Sequence, residues 1–246
     1  MRENETVTVC LGRGGQRDLA ESIAKKVGVP LEDRPGDGVS VLVDSSGVSL
    51  VGYGLSYRGD FEGMLPRITD GRLAHEMLVH VSKTKDEHPT AFDATAGMGE
   101  DSLLLAAAGY NVTMFEQNSV IAALLKDAMR RAKKHPVLGE IVGRMRLIEG
   151  NSIEEMPKLN PPDIIYLDPM FPERQKSGLI GKKLQLIQHL EMPCYEEEAL
   201  LDAAFRTDPG KIIIKRPLKG ENLAGREPQY SVKGKAIRYD CFVLHG

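Results

Sequence analysis

Cysteine is scarce in this 246-residue chain, and no part of the chain forms a long apolar run. Cys10, Cys194 and Cys241 are odd in number, widely spaced and without a C-x-x-C pair, so neither a disulfide framework nor a zinc ribbon is indicated. No apolar stretch reaches membrane-spanning length, and the N-terminus lacks the core of a signal peptide. A soluble, cytoplasmic protein with no membrane partner is expected. Paired metal ligands are missing as well. His75 and His80 lie five apart, whereas a helical zinc pair needs a spacing of four to share one face, so no metal is expected. An overall basic charge is also absent: the net charge of −3 excludes a uniform nucleic-acid-binding coat. There is no internal repeat and no low-complexity tract.

What is present suits an α/β protein. A hydrophobic content of 41% can bury a full core, in one large domain or in a domain with an appendage. Charge is uneven. Arg206 to Arg238 holds nine Lys/Arg against three Asp/Glu, a local +6, which leaves −9 on the rest of a chain whose total is −3. A basic C-terminal stretch on an acidic body can supply a directed phosphate-binding face.

Residues 1–60 read as a small N-terminal α/β domain. A strand over Thr6 to Leu11 meets the turn Gly12-Arg13-Gly14-Gly15, and Gln16 to Val27 places Leu19, Ile23 and Val27 on one helix face. Val39 to Val43 and Val48 to Val51 flank Asp44-Ser45-Ser46-Gly47, a hairpin signal. A helix capped by Thr69 or Asp70 is predicted through Leu73, Met77, Leu78 and Val81.

Residues 61–246 form the second expected domain, in which strands and helices alternate from Thr90. Strands are predicted at Ala91–Ala94, Asn111–Glu116, Met145–Glu149, Ile164–Leu167 and Lys211–Lys215. Helices are predicted at Asp101–Ala108, Val120–Lys134 and Glu196–Phe205. Such alternation means a mostly parallel, Rossmann-like sheet with helices on both faces. The end differs: Tyr230–Val232 and Ala236–Leu244 flank Lys233-Gly234-Lys235 and read as an antiparallel hairpin closing the sheet.

Ligands of open parallel sheets bind at the carboxyl ends of the strands. Asp93 ends the first alternating strand, and Gly97 and Gly99 then let the backbone approach a ligand at the start of a helix. Glu116 ends the next strand 23 residues after Asp93, near the roughly 20-residue spacing of an acid that accepts ribose hydroxyls. Asn151 and Ser152 follow the third strand and could meet an adenine edge. Glu100 and Asp101 after the glycines, with Asp93 before them, are unwelcoming to a pyrophosphate. They suit a cofactor with a cationic end, such as S-adenosylmethionine, whose ammonium and sulfonium Asp93 and Asp101 could face.

Asp168-Pro169-Met170-Phe171 follows the apolar run Ile164-Ile165-Tyr166-Leu167. An exocyclic amine on a base is a poor nucleophile because its lone pair is delocalised into the ring. Acceptors from the Asp168 carboxylate and the Pro169 carbonyl would favour pyramidal nitrogen. Phe171 could stack on the base, a contact worth about 1–3 kcal/mol. Lys176, Lys182, Lys183, Lys215, Arg216 and Lys235, with Lys219, Lys233 and Arg238, could form a phosphate-binding rim. These residues leave the acceptor open among guanine N2, adenine N6 and a protein amide. A non-catalytic nucleic-acid-binding protein with a degenerate cofactor fold is the alternative from another class.

Asp93 to Asp101, Phe115-Glu116-Gln117-Asn118, Tyr166 to Pro172, Gln175-Lys176-Ser177, Ile214 to Pro217 and Lys235 to Tyr239 together resemble the bacterial small-subunit (16S) ribosomal RNA guanine-N2 methyltransferase family of the RsmJ type. The resemblance covers about residues 57–246. It implies a Rossmann-like class I methyltransferase that uses S-adenosyl-L-methionine and acts on 16S rRNA or the small ribosomal subunit. It places cofactor contacts at Glu100, Asp101, Glu116, Gln117, Asn151, Ser152 and Asp168.

Overall fold

The computed structural model describes residues 7–36, 38–69, 71–169, 186 and 196–245. Met170, Phe171, Lys176, Lys182 and Lys183 lie outside the described residues.

The chain builds two sheets. The smaller takes β1 (Thr8–Leu11), β2 (Leu31–Glu32), β3 (Ser40–Asp44), β4 (Gly47–Gly52) and β5 (Leu55–Tyr57) in the order β2-β1-β3-β4-β5. The helix α1 (Arg17–Val27) ends at Gly28, whose φ of 79° satisfies the last turn in the left-handed conformation. Val9, Val41 and Leu50 stand in register across the sheet and are buried with Ile23 of α1.

The segment between the sheets departs from the expected single helix. The chain makes α2 (Leu65–Ile68), a 3₁₀ turn at Arg72–His75, and then α3 (Met77–Ser82), with Glu76 extended at ψ 121° between the last two. Arg67 grips Glu76 with two hydrogen bonds, of 2.7 and 2.8 Å, at the break. A bidentate pair of this kind offsets the loss of helix continuity.

The larger sheet comprises β6 (Thr90–Asp93), β7 (Asn111–Glu116), β8 (Met145–Glu149), β9 (Ile164–Leu167), β10 (Lys211–Pro217), β11 (Tyr230–Lys233) and β12 (Ile237–Val243). Its order is β11-β12-β10-β9-β6-β7-β8, parallel from β8 through β10. The helices α4 (Glu100–Ala107), α5 (Ser119–Ala132), α6 (Leu138–Gly143), α7 (Ser152–Glu155) and α8 (Glu197–Arg206) carry the described connections. Ile212, Ile213 and Ile214 are all buried, as a central strand covered on both faces requires. The terminal hairpin is present, but its second strand docks first: β12 inserts between β10 and β11 and runs antiparallel to both. Strand order reverses about β6, whose neighbours are β7 on one side and β9 on the other. The crevice above their carboxyl ends is therefore the topological switch point.

One side chain of α5 fastens the two sheets together. Asp127, 2% exposed, accepts from Arg130 at 2.7 Å and Arg131 at 2.8 Å, and takes the Val48 N–H of the smaller sheet. Gly47 has φ +122°, and a Cβ there would stand 2.4 Å from Asp127 Oδ2, so only glycine admits the carboxylate. Val120 and Leu124 of α5 share the smaller sheet's core.

Candidate active site

The loop after β6 is held by the strands on either side of it. Ala94 N donates to Tyr166 O (3.0 Å), and Ala96 N donates to Phe115 O (3.2 Å). Gly97 and Gly99 take φ of +52° and +76°. At Gly99 an added Cβ would come within 2.8 Å of Leu125. At Gly97 it would meet nothing within 4 Å, so the backbone there borders open space that any side chain would fill.

Asp93 works differently from the sequence expectation. It is 1% exposed, accepts from Ser102 Oγ at 2.5 Å and from Thr95 N at 3.1 Å, and so faces the loop rather than a ligand. Desolvation pushes its carboxyl up from an ordinary 3.8 to about 7, aided by the charges of Asp101 and Asp168 and opposed by the Ser102 and Thr95 bonds. Asp101 and Asp168 stand beside the crevice, with side chains about one-fifth exposed.

Glu116 stands at the carboxyl end of β7. One oxygen accepts Gly97 N at 3.1 Å and the other Asn118 N at 2.7 Å, which fixes the carboxylate between the glycine loop and the cap of α5. Gln117 beside it and Glu100 at the start of α4 are exposed. Asn151 is partly committed elsewhere: its side-chain oxygen caps α7 by accepting Ile153 N at 3.0 Å, and Ser152 is buried. Short polar residues after a strand serve the helix start as well as any ligand.

Asp168 and Pro169 follow β9 at the switch point, Asp168 part-buried and Pro169 buried. Asp168 N donates to Thr95 Oγ1 at 2.7 Å, tying the turn to the glycine loop. Ile214 pairs with Leu167, so Lys215 stands beside Asp168. The Lys215 Nζ lies 2.8 Å from Asp101 Oδ2 and 2.9 Å from Asp168 Oδ2. Burial alone would lower this ammonium, but the two carboxylates outweigh it and hold it above the usual lysine range. The Tyr166 hydroxyl donates to the same Asp101 oxygen at 2.6 Å; burial and the two acids keep it a phenol.

Among the described residues, three of the cations expected on a basic rim are turned inward. Lys215 is an internal partner of two acids. Arg216, 4% exposed, donates to Glu221 O at 2.7 Å and faces Glu197 at 3.5 Å. Arg238, 7% exposed, pairs with Asp240 and binds the carbonyls of Pro217, Leu218 and Gly220. Each of the three is engaged by acceptors within the fold. Lys219, Lys233 and Lys235 remain exposed. Thr95 and Tyr166 were missed as site residues, and Lys215 was expected on the rim. Their common signal was position: each lies at or next to the carboxyl end of β6, β9 or β10.

The arrangement is an acidic crevice with a glycine-bordered floor, an acceptor at the second strand end and an acid–proline turn facing it. The donor set fits S-adenosylmethionine. Glu116 suits ribose hydroxyls, and Asp101 and Asp168 suit cationic groups. A SAM-dependent methyltransferase family model matches residues 60–244. Ribosomal RNA small subunit methyltransferase J of Neisseria meningitidis serogroup B is 38% identical over 224 residues, covering 89% of both chains. The protein of the same name from Thioalkalivibrio sulfidiphilus is 34% identical over 244 residues, covering 92% of this chain and 93% of its own. The crystal structure of a SAM-dependent methyltransferase from Neisseria gonorrhoeae superposes with a TM-score of 0.76 at 30% identity, covering 98% of this chain and 97% of that one. Matched over nearly its whole length by these relatives, the chain belongs to the ribosomal RNA small subunit methyltransferase J family of SAM-dependent methyltransferases.

Proposed function

We propose that this protein methylates the exocyclic N2 amine of a guanine in 16S ribosomal RNA. The observation that carries methyl transfer to an exocyclic amine is the Asp168-Pro169 turn, anchored by Thr95 onto the glycine loop at the switch point, and membership of the family narrows that amine to guanine N2. S-adenosylmethionine, when bound, supplies an electrophilic methyl group. The chain's own part is to orient the acceptor. The Asp168 carboxylate and the Pro169 carbonyl accept the two N–H bonds of the amine, turn its lone pair out of the ring's conjugation, and aim it at the methyl carbon. As nitrogen bonds to that carbon, the carbon's bond to sulfur would break, with S-adenosylhomocysteine leaving as a neutral thioether, and the nitrogen sheds a proton towards Asp168 or water. No covalent enzyme intermediate is needed, and alignment supplies most of the rate. Phe171 is assigned the stacking role.

The RNA-facing rim is assigned to Lys219, Lys233 and Lys235, with Lys176, Lys182 and Lys183 from the segment after the turn. Support comes from placement. Leu218 N donates to Ala236 O at 3.0 Å, which sets the Lys219 loop against the Lys233–Lys235 turn at the end of β10 nearest Asp168. Exposed lysines there give affinity and salt dependence, while the base pocket gives the choice of atom. A target within a helix would have to be unstacked to enter.

The test is mass spectrometry of ribosomal RNA nucleosides from cells with and without the gene. Loss of N2-methylguanosine, restored by the wild-type gene and not by Asp168→Ala, is expected. An unchanged N2-methylguanosine level overturns the reading, and loss of N6-methyladenosine instead would move the acceptor to adenine.

A further inference from the structure

Lys215 is turned towards two acids in this fold, although its charge and its place in a basic stretch suggest a surface role. Its ammonium is bracketed by one oxygen of Asp101, from the first turn of α4, and one oxygen of Asp168, from the acid–proline turn. Its side chain is 19% exposed. The same Asp101 oxygen takes the Tyr166 hydroxyl, so the acid on the cofactor side is fixed by two donors. Asp168 is fixed at two points also, its backbone N–H by Thr95 and one carboxylate oxygen by Lys215.

We infer that Lys215 is a positioning residue for methyl transfer, linking the acid beside the cofactor to the acid that holds the acceptor amine. This rests on the reading that Asp168 is that acceptor-holding acid. A carboxylate on a single Cβ can rotate, and rotation changes which way its lone pairs point at a bound amine. Lys215 removes that freedom by holding one oxygen. It also stands between two like charges that would otherwise repel at close range in a part-buried crevice. Without the ammonium, Asp101 and Asp168 turn apart, and the amine loses its alignment with the methyl carbon. The lysine itself touches no reacting atom.

The experiment compares Lys215→Met, Lys215→Arg and Asp168→Asn with the wild type in steady-state methylation. RNA affinity is measured in parallel over a range of salt, and S-adenosylmethionine affinity by calorimetry. Lys215→Met is expected to lose about 10- to 100-fold in kcat, the cost of misplacing a reacting group by about an ångström. Its RNA affinity and salt slope should stay at the wild-type value. Lys215→Arg keeps the charge but replaces a compact ammonium with a planar fork, and should recover part of the lost kcat. If Lys215→Met loses its thermal transition, Lys215→Arg alone decides: reduced kcat with unchanged RNA affinity supports the inference, and unchanged kcat overturns it. An RNA affinity that falls together with the salt slope, by about one unit of slope, would make Lys215 a phosphate contact and overturn the inference. An inactive Asp168→Asn beside a fully active Lys215→Met overturns this inference and leaves the acceptor-holding role of Asp168 standing. A fully active Asp168→Asn overturns both.

Discussion

Replacing Asp93 by asparagine should change how stability depends on pH. The Asp93 carboxyl is held near 7 in the folded protein against an ordinary 3.8, chiefly because burial disfavours its charge. The folded state therefore keeps a proton that the unfolded state has released. Stability from this group is complete below about pH 4 and is lost as pH rises through about 7. Each unit of difference corresponds to about 1.4 kcal/mol. Between pH 5 and pH 8 roughly two of those units are lost, so the wild type should forfeit about 2–3 kcal/mol to this one residue. The asparagine of Asp93→Asn does not ionise, and its amide can still meet Thr95 N and Ser102 Oγ. Other titrating groups are shared by both proteins and cancel in the difference. Urea unfolding of both at pH 5 and pH 8 gives the quantity directly. The variant should gain about 2–3 kcal/mol on the wild type between the two conditions. Parallel curves would refute the argument that Asp93 is folded in protonated near neutrality.

Four further outcomes are expected. Asp127→Ala strands the Val48 N–H and two arginines at the seam between the sheets, and should cost about 2–4 kcal/mol in urea unfolding at pH 7. Burial alone would raise Asp127, but Arg131, Arg130 and the Val48 N–H outweigh it and lower the carboxyl. Its contribution is thus present above the ordinary carboxylate range and vanishes as pH falls below it, so the gap between variant and wild type should close in acid. Gly47→Ala displaces the same carboxylate, and the double variant should lose less than the sum of the two singles; strict additivity would argue against a shared seam. Glu116→Ala should weaken S-adenosylmethionine binding tenfold or more, about 1.4 kcal/mol, in calorimetry while the fold persists; unchanged affinity would remove Glu116 from the cofactor site. Arg238→Met frees the carbonyls of Pro217, Leu218 and Gly220, and should lower the melting temperature and the RNA affinity together, because the same loop carries Lys219.

Element type and order were legible where one physical signal dominated. The three strands Asn111–Glu116, Met145–Glu149 and Ile164–Leu167 coincide with their expected bounds, because β-branched and apolar runs between turn residues leave no competing helix. The helix through Met77 was misjudged. Apolar spacing continued across Glu76, but the chain is extended there, and the Arg67 partner that accompanies the break lies nine positions away and leaves no local trace.

The candidate site divides along the same line. Glu116 and the two glycines could be named from spacing, since strand end, left-handed turn and helix start follow one another in the chain. The fates of Asp93, Lys215, Arg216 and Arg238 could not. An acid at a strand end reads as a ligand contact until Ser102 is seen to enclose it, and a lysine in a basic stretch reads as surface until β10 sets it beside Asp168.

The sequence alone determined that this is a mostly parallel α/β chain with a glycine loop and an acid–proline turn at strand ends, because those features are encoded within a few neighbouring residues. The tertiary structure decided which charges face the crevice and which hold it together. Lys215 and Asp101 are 114 residues apart in the chain and 2.8 Å apart in space, and the pairing of an ionised group is set by what the fold brings within reach.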